Sequence, residues 1–270
     1  MMARFSVTPK KYRIIYWAAS LFIVGGITLL AIDLYTQHVE SKQAQQLKSQ
    51  LASFHQTSTT YLSQPINSDP GYGQMKEDPS PAASIPPDRI NWSSLLAINK
   101  EIISWLHIEG TSVDYPVVQH KDNDYYLKTD AAGKKSIYGS IFMDYRVDIS
   151  QQQRNTIIYG HNMIDGSMFG SLQNYKNKDF YLAHRDILLE TPERKTAWEI
   201  FSVYTIDASK YTVDLSYEND QAFLQALDQY RKKSLYQTTV IPRKEDEILT
   251  LVTCSNETDD TRLVIHAMKK

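Results

Sequence analysis

The chain has 270 residues, 29 basic against 31 acidic side chains, and a single cysteine. Near-neutrality argues against the basic face that a nucleic-acid binder needs, and one cysteine excludes any disulfide within the chain. Setting aside the four basic residues before position 14 leaves 25 basic against 31 acidic, the balance of a solvated body rather than of a polyanion binder.

The first element in chain order is apolar. Ile14 to Ile32 carries no charge and has only Ser20 and Thr28 as ordinary polar residues. Nineteen residues at helical rise reach about 28 Å, close to the hydrocarbon thickness of a bilayer. Arg4, Lys10, Lys11 and Arg13 precede it, and no acidic residue appears before Asp33. That flank predicts a cytoplasmic N-terminus and an outer remainder. Tyr12, Tyr16, Trp17 and Tyr35 suit the two interfaces. A cleaved signal peptide is the competing reading; the apolar stretch exceeds the roughly 7–15 residues expected there, and no A-x-A site follows. The expected division is a tail at 1–13, a transmembrane anchor at 14–34, a stalk and linker at 35–87, and an outer domain at 88–270.

Between Gln37 and Leu62 the chain is rich in Gln, Lys and Ser, with Val39, Leu47, Leu51, Phe54 and Leu62 partly at helical spacing, which suggests a polar stalk helix. Pro65 to Pro87 holds six prolines and reads as a linker. The roughly 180 residues that follow are enough for one core. A helix is expected over Trp92 to Ile103, then short apolar runs: Trp105–Ile108, Val113–Val118, Gly139–Met143, Thr156–Tyr159, Ile187–Leu189 and Trp198–Ile206. Two further helices are expected, one over Asn219 to Lys232 and a shorter helix or turn over Met168 to Tyr175. Seven or eight short strands point to a mainly β domain with peripheral helices, a closed or nearly closed barrel.

The last two strands carry the chemistry. Glu247 to Cys254 and Arg262 to Met268 are both rich in Leu, Ile and Val, separated by the polar Ser255–Thr261. As an antiparallel hairpin they would set Cys254 opposite Arg262 at the loop end. A guanidinium favours the thiolate, and the thiolate is the nucleophile. Free cysteines are often small buried hydrophobes; this one ends its strand in a chain read as lying outside the membrane, where an unpaired thiol is a candidate reactive group. Among seven histidines, His38 and His55 fall in the stalk, His120 in a turn and His184 at a corner. His107 and His266 are mid-strand, solvent-facing or satisfied by hydrogen bonds. His161 follows the strand Thr156–Tyr159 and Gly160, in the loop position where catalytic groups concentrate. Spacing alone leaves open whether His161 and Cys254 meet. The acidic groups Lys244–Glu247 and Asp259–Asp260 have no EF-hand spacing, so no metal and no cofactor are expected.

These residues resemble a known family. Leu249-Thr250-Leu251-Val252-Thr253-Cys254 with Arg262 resembles the TLxTC…R signature of sortases. Tyr159-Gly160-His161-Asn162 followed by Gly166-Ser167-Met168-Phe169-Gly170 resembles the histidine motif of class B members. The stretches Val113–Gln119, Asp122–Leu127 and Gly139–Asp144 look similar too, so the likeness covers about Ile90 to Met268. It implies a closed β-barrel of about eight strands and a membrane-anchored cysteine transpeptidase at a Gram-positive surface. It implies that Cys254 attacks a Thr carbonyl in the C-terminal sorting motif of a secreted protein, forming a thioester that an amine of the cell-wall precursor resolves. His161 would move the proton, and Arg262 would stabilise the oxyanion rather than pair with Glu257, Asp259 or Asp260. Val252 stands where some members have a serine, and the cysteine-to-arginine interval is short. The implied motif resembles NPxT followed by a polar or small residue. An alternative within the same chemistry uses a lysine of a pilin subunit as the amine, making a pilus polymerase; a non-enzymatic anchored scaffold is the remaining one.

Overall fold

A computed structural model describes residues 9–56, 89–151, 153–212, 214–254 and 261–270; of these, 9–16, 18–20, 55, 56, 89 and 254 are described by their backbone alone. The linker at 65–87 and the hairpin loop at 255–260 lie outside the described residues. The chain forms two compact units, one ending at Gln46 and one running from Leu47 to Lys270.

The described residues of the first unit are helical. Helix α1 runs over Pro9–Ala52, the last six residues belonging to the second unit. It is long and apolar enough to cross a membrane. Leu21, Phe22, Ile23, Ile27, Leu29 and Leu30 are all exposed. The apolar side chains of this stretch thus have no packing partner within the chain.

The second unit is a closed barrel. A short pair, β1 (His55–Gln56) with β2 (Arg89–Ile90), leads into helix α2 (Trp92–Ile98). The barrel strands are β3 (Ile102–His107), β4 (Asp114–Val118), β5 (Ile141–Met143), β6 (Asn155–Tyr159), β7 (Asp186–Glu190), β8 (Lys195–Asp207), β9 (Ile248–Cys254) and β10 (Thr261–Lys269). Around the barrel their order is β10-β8-β7-β3-β4-β5-β6-β9, closing on itself. Most neighbours are antiparallel; β4 with β5 and β6 with β9 are parallel. Closure pairs every barrel strand on both sides among the described residues. Helices α3 (Lys178–Ala183) and α4 (Asp220–Lys233) complete the domain.

Two clusters flank the barrel. Phe223, Leu227 and Tyr230 of α4 pack on Phe201, Tyr204, Ile248 and Val264 of the strands. Leu224, next to Phe223 on the same helix, faces outward at 42% exposure. The second cluster joins Leu95, Ile102, Trp105, Val118, Tyr126 and Phe142 to Leu51 from the end of α1. Leu51 is 2% exposed, so this part of the segment read as a polar stalk packs into the domain.

Several element bounds differ from the reading of the sequence. Helix α2 stops at Ile98, and Ile102 and Ile103 belong to β3. The cause is Asn99, whose extended backbone ends the helix while its side chain donates to Tyr126 Oη (2.9 Å) and the Ala131 carbonyl (3.0 Å). Its Oδ1 also accepts from the Glu101 amide (2.9 Å), the local alternative to helix that Asn offers. The expected helix or turn after Met168 is a 3₁₀ segment, Gly170–Lys176, and α3 follows it unanticipated, capped by Asn177.

Candidate active site

Three strand ends define the site. In the β9–β10 ladder Arg262 is the register partner of Cys254, Leu263 of Thr253 and Val264 of Val252. In the parallel β6–β9 ladder Tyr159 partners Val252, and the Gly160 amide donates to the Val252 carbonyl (3.2 Å). Positions 161 and 254 each lie two residues beyond that last pair. The backbone thus delivers 161, 254 and 262 to one end of the barrel on three adjacent strands. The hairpin expected from the sequence has the expected register; the Cys254 sulfur and the candidate Arg262 partners Glu257, Asp259 and Asp260 lie outside the described residues. Thr253 is buried at 1% exposure, consistent with a supporting position.

The loop carrying His161 is closed by its own backbone. The His161 carbonyl accepts from the Phe169 amide (2.9 Å), and Asn162 bridges Met168. Met168 has φ +49, a conformation costly for a side-chain-bearing residue. Its amide donates to Tyr115 Oη (3.2 Å). Asp165 holds the tip, accepting from the Ser167 amide (3.0 Å) and from Tyr138 Oη (3.1 Å). Gly160 is required at the entry to the loop: a Cβ there would lie 2.6 Å from Ile141 Cδ1 and 2.8 Å from the Phe169 ring.

The imidazole of His161 is anchored by backbone. Its Nε2 is 2.7 Å from the Leu127 carbonyl oxygen. A carbonyl only accepts, so this nitrogen carries the hydrogen, and in the neutral ring Nδ1 is then the basic nitrogen. Beneath the loop, Asp144 is fully buried and accepts from Arg146 Nε and Nη2 (both 2.8 Å), Tyr159 Oη (3.0 Å) and Asn123 Nδ2 (3.1 Å). Burial pushes its pKa up, yet the Arg146 fork and these donors hold it below the usual carboxylate range. A charged, saturated Asp144 ties the end of β6 to the segment after β5.

Four other histidines have partners of their own. His120 Nδ1 contacts the Glu101 carboxylate (2.8 Å), and His107 Nδ1 contacts Asp114 (3.2 Å). His184 ends α3 against the Phe180 ring (centroids 4.6 Å). His266 is not solvent-facing but fully buried, hydrogen-bonded through both ring nitrogens. Among the described residues no group of three His, Cys, Asp or Glu side chains is arranged to hold a metal ion. Reasoning from sequence missed Leu127, Gly139 and Asp144. Leu127 acts through its carbonyl, which any residue has, whereas Asp144 had a signal: an acidic residue directly after the apolar Ile141–Met143.

Comparison with known proteins gives one family. Residues 106–270 match the Sortase domain family. The chain is 41% identical to sortase B of Listeria monocytogenes over 165 residues, 61% of this chain and 67% of that protein. It is 36% identical to sortase B of Staphylococcus aureus over 181 residues, 66% of this chain and 74% of that one. A crystal structure of sortase B from Bacillus anthracis superposes with TM-score 0.63 at 41% identity, covering 67% of this chain and 84% of the other.

Proposed function

The chain belongs to the sortase family of cysteine transpeptidases, and from that premise we propose that Cys254 is its nucleophile, His161 its proton carrier and Arg262 its oxyanion stabiliser. The observation that carries the assignment is the strand register, which sets Arg262 across from Cys254 and ends β6 beside β9 two residues before His161.

The proposed reaction has two halves. The Cys254 thiolate attacks the carbonyl carbon of a Thr in the sorting motif of a secreted protein, forming a C–S bond and an oxyanion. Arg262 donates to that oxygen, work of the kind worth about 3–4 kcal/mol of barrier. As the C–N bond breaks, His161 gives its proton to the departing amine, leaving a thioester. An amine of the cell-wall precursor then attacks the thioester and passes its proton to His161, and the thiolate departs. The imidazolium and thiolate are restored, so protons balance over the cycle.

The same proposal sets 1–13 in the cytoplasm, 14–34 through the membrane as a single span, 35–87 as an outer stalk and linker whose Leu47, Leu51 and Phe54 pack on the domain that follows, and 88–270 as that catalytic domain outside. It is supported by the exposed apolar helix and by the basic residues ahead of it.

The test is mass spectrometry of the full chain in detergent, incubated with a panel of sorting peptides of the NPxT type. The expected result is an adduct on Cys254 equal in mass to the peptide portion ending in Thr, absent in Cys254→Ala. A panel that leaves wild-type Cys254 unmodified, or an adduct that persists in Cys254→Ala, would overturn the assignment.

A further inference from the structure

Four consecutive carbonyls beside the His161 loop are each taken by a different donor. The Ser140 amide donates to Tyr126 O (2.9 Å), His161 Nε2–H to Leu127 O (2.7 Å), the Ser136 amide to Lys128 O (2.9 Å) and Ser140 Oγ to Thr129 O (2.8 Å). Three of these donors belong to the segment Ser136–Ser140. That segment fixes the row of carbonyls, and the imidazole occupies the one it leaves.

Gly139 lies within the donor segment, next to Ser140, with φ +56. A Cβ built there would stand 2.6 Å from Tyr126 O, 2.8 Å from Leu127 O and 3.0 Å from the Leu127 carbonyl carbon. Those are backbone atoms, so no flexible side-chain end can swing aside to make room. The missing side chain at 139 therefore has two causes, a left-handed backbone and a close approach to the very carbonyl that holds His161.

Resting on the role given to His161 above, we propose that Gly139 is a positioning residue for His161, its absent Cβ keeping the Leu127 carbonyl where it holds Nε2–H and leaves Nδ1 to pass the proton. The departing amine takes its proton from Nδ1, and the attacking amine returns one to Nδ1. Nε2–H stays on Leu127 throughout.

Gly133 supplies the control. It has φ +80, and an added Cβ there would meet no heavy atom within 4 Å, so Gly133→Ala shares the backbone strain without the carbonyl contact. Both variants are made in the full chain in detergent micelles and assayed with the peptide that acylates wild type. Gly139→Ala is expected to lower kcat about tenfold or more, part of the ~10²–10⁴ that general acid–base catalysis supplies, with KM unchanged. Gly133→Ala should keep kcat. In parallel, ¹⁵N-histidine NMR, assigned by comparison with His161→Gln, should show neutral wild-type His161 as the single Nε2–H tautomer, and a mixture in Gly139→Ala.

An Nδ1–H tautomer in wild type, an undiminished kcat in Gly139→Ala, or equal kcat losses in the two variants would overturn the proposal. If Gly139→Ala does not fold, an Nδ1–H tautomer in wild type still overturns the proposal. Should wild type form no peptide adduct, the catalytic assignment fails, while the tautomer still reports whether Leu127 holds the ring.

Discussion

His161 and His266 flank the same strand, β9, one beyond the end of β6 and the other inside β10, and they use the imidazole in opposite ways. His266 is fully buried, stacked on Tyr230 at 3.9 Å between centroids. Thr250 Oγ1 donates to Asn155 Oδ1 (2.8 Å), so it accepts from His266 Nδ1–H (2.9 Å). Nε2 is then the acceptor, and Tyr204 Oη donates to it (3.0 Å). The result is a directed chain from Tyr204 through His266 and Thr250 to Asn155. Burial, with Lys233 nearby, pushes the His266 pKa down to about 3. A ring so held stays neutral at pH 7 and has both nitrogens committed. His161, half-buried at the barrel end, commits only Nε2 among the described residues, against the Leu127 carbonyl. The lesson is that position along the strand, not residue type, separates a structural imidazole from one placed for proton transfer.

Paired substitutions test that separation most strongly. His161→Gln is expected to lower peptide-cleavage kcat by ~10²–10⁴, the usual contribution of general acid–base catalysis. Its urea midpoint should stay close to wild type, since a half-buried loop residue is replaced by a polar one. A kcat within a factor of two of wild type would break the contrast. His266→Leu should do the reverse. It leaves the buried Tyr204 hydroxyl without its acceptor, at a cost of about 1–3 kcal/mol in chemical denaturation, while thioester formation per folded molecule holds.

Acidification sharpens the same comparison. The folded pKa of His266 is about 3 and the ordinary value 6.5. Between those values the unfolded chain binds a proton that the folded one refuses, so stability falls as pH drops from about 6.5 towards 3. The slope from this group reaches at most about 1.4 kcal/mol per pH unit. Asp144, held below its ordinary value, contributes in the same direction at the acid end, below about pH 4. Denaturation midpoints measured between pH 7 and 4.5 should therefore slope less in His266→Leu than in wild type. Identical slopes would show that His266 charges freely in the folded state.

How much of this was legible depended on whether the physics was local. The β9–β10 pairing follows from two apolar runs and a polar loop, and so does the facing of Cys254 and Arg262. The parallel pairing of β6 with β9 joins strands some ninety residues apart, which periodicity cannot register; only a likeness to whole-family motifs brought His161 to that end. Leu127 acts through a carbonyl that every residue type carries. Gly139 stood at the head of the expected apolar run Gly139–Met143, and its close approach to Leu127 exists only in the folded chain. Leu51 read as a sparse apolar position on a stalk and is instead core, since its partners Ile90, Leu95 and Trp105 lie beyond the Pro-rich stretch. His266 shows the other limit: alternation marks a strand face but not which hydroxyls wait there.

The smallest predicted effect isolates one hydrogen bond of the buried chain. Tyr204→Phe keeps the ring that packs in the α4 cluster and removes only the donor to His266 Nε2. At pH 7 the loss should be about 1 kcal/mol, that of one hydrogen bond with its acceptor left in place. The acid behaviour separates this variant from a simple packing defect. The Tyr204 hydroxyl donates to the lone pair of the neutral ring, so it favours the neutral form. Without it the folded pKa of His266 should rise from about 3 towards the unfolded value, and the window of acid destabilisation should narrow. Tyr204→Phe is thus expected to be less stable than wild type at pH 7, yet to lose less further stability on going to pH 4.5. A pH dependence as steep as wild type would mean that burial alone, and not the directed chain, keeps His266 neutral.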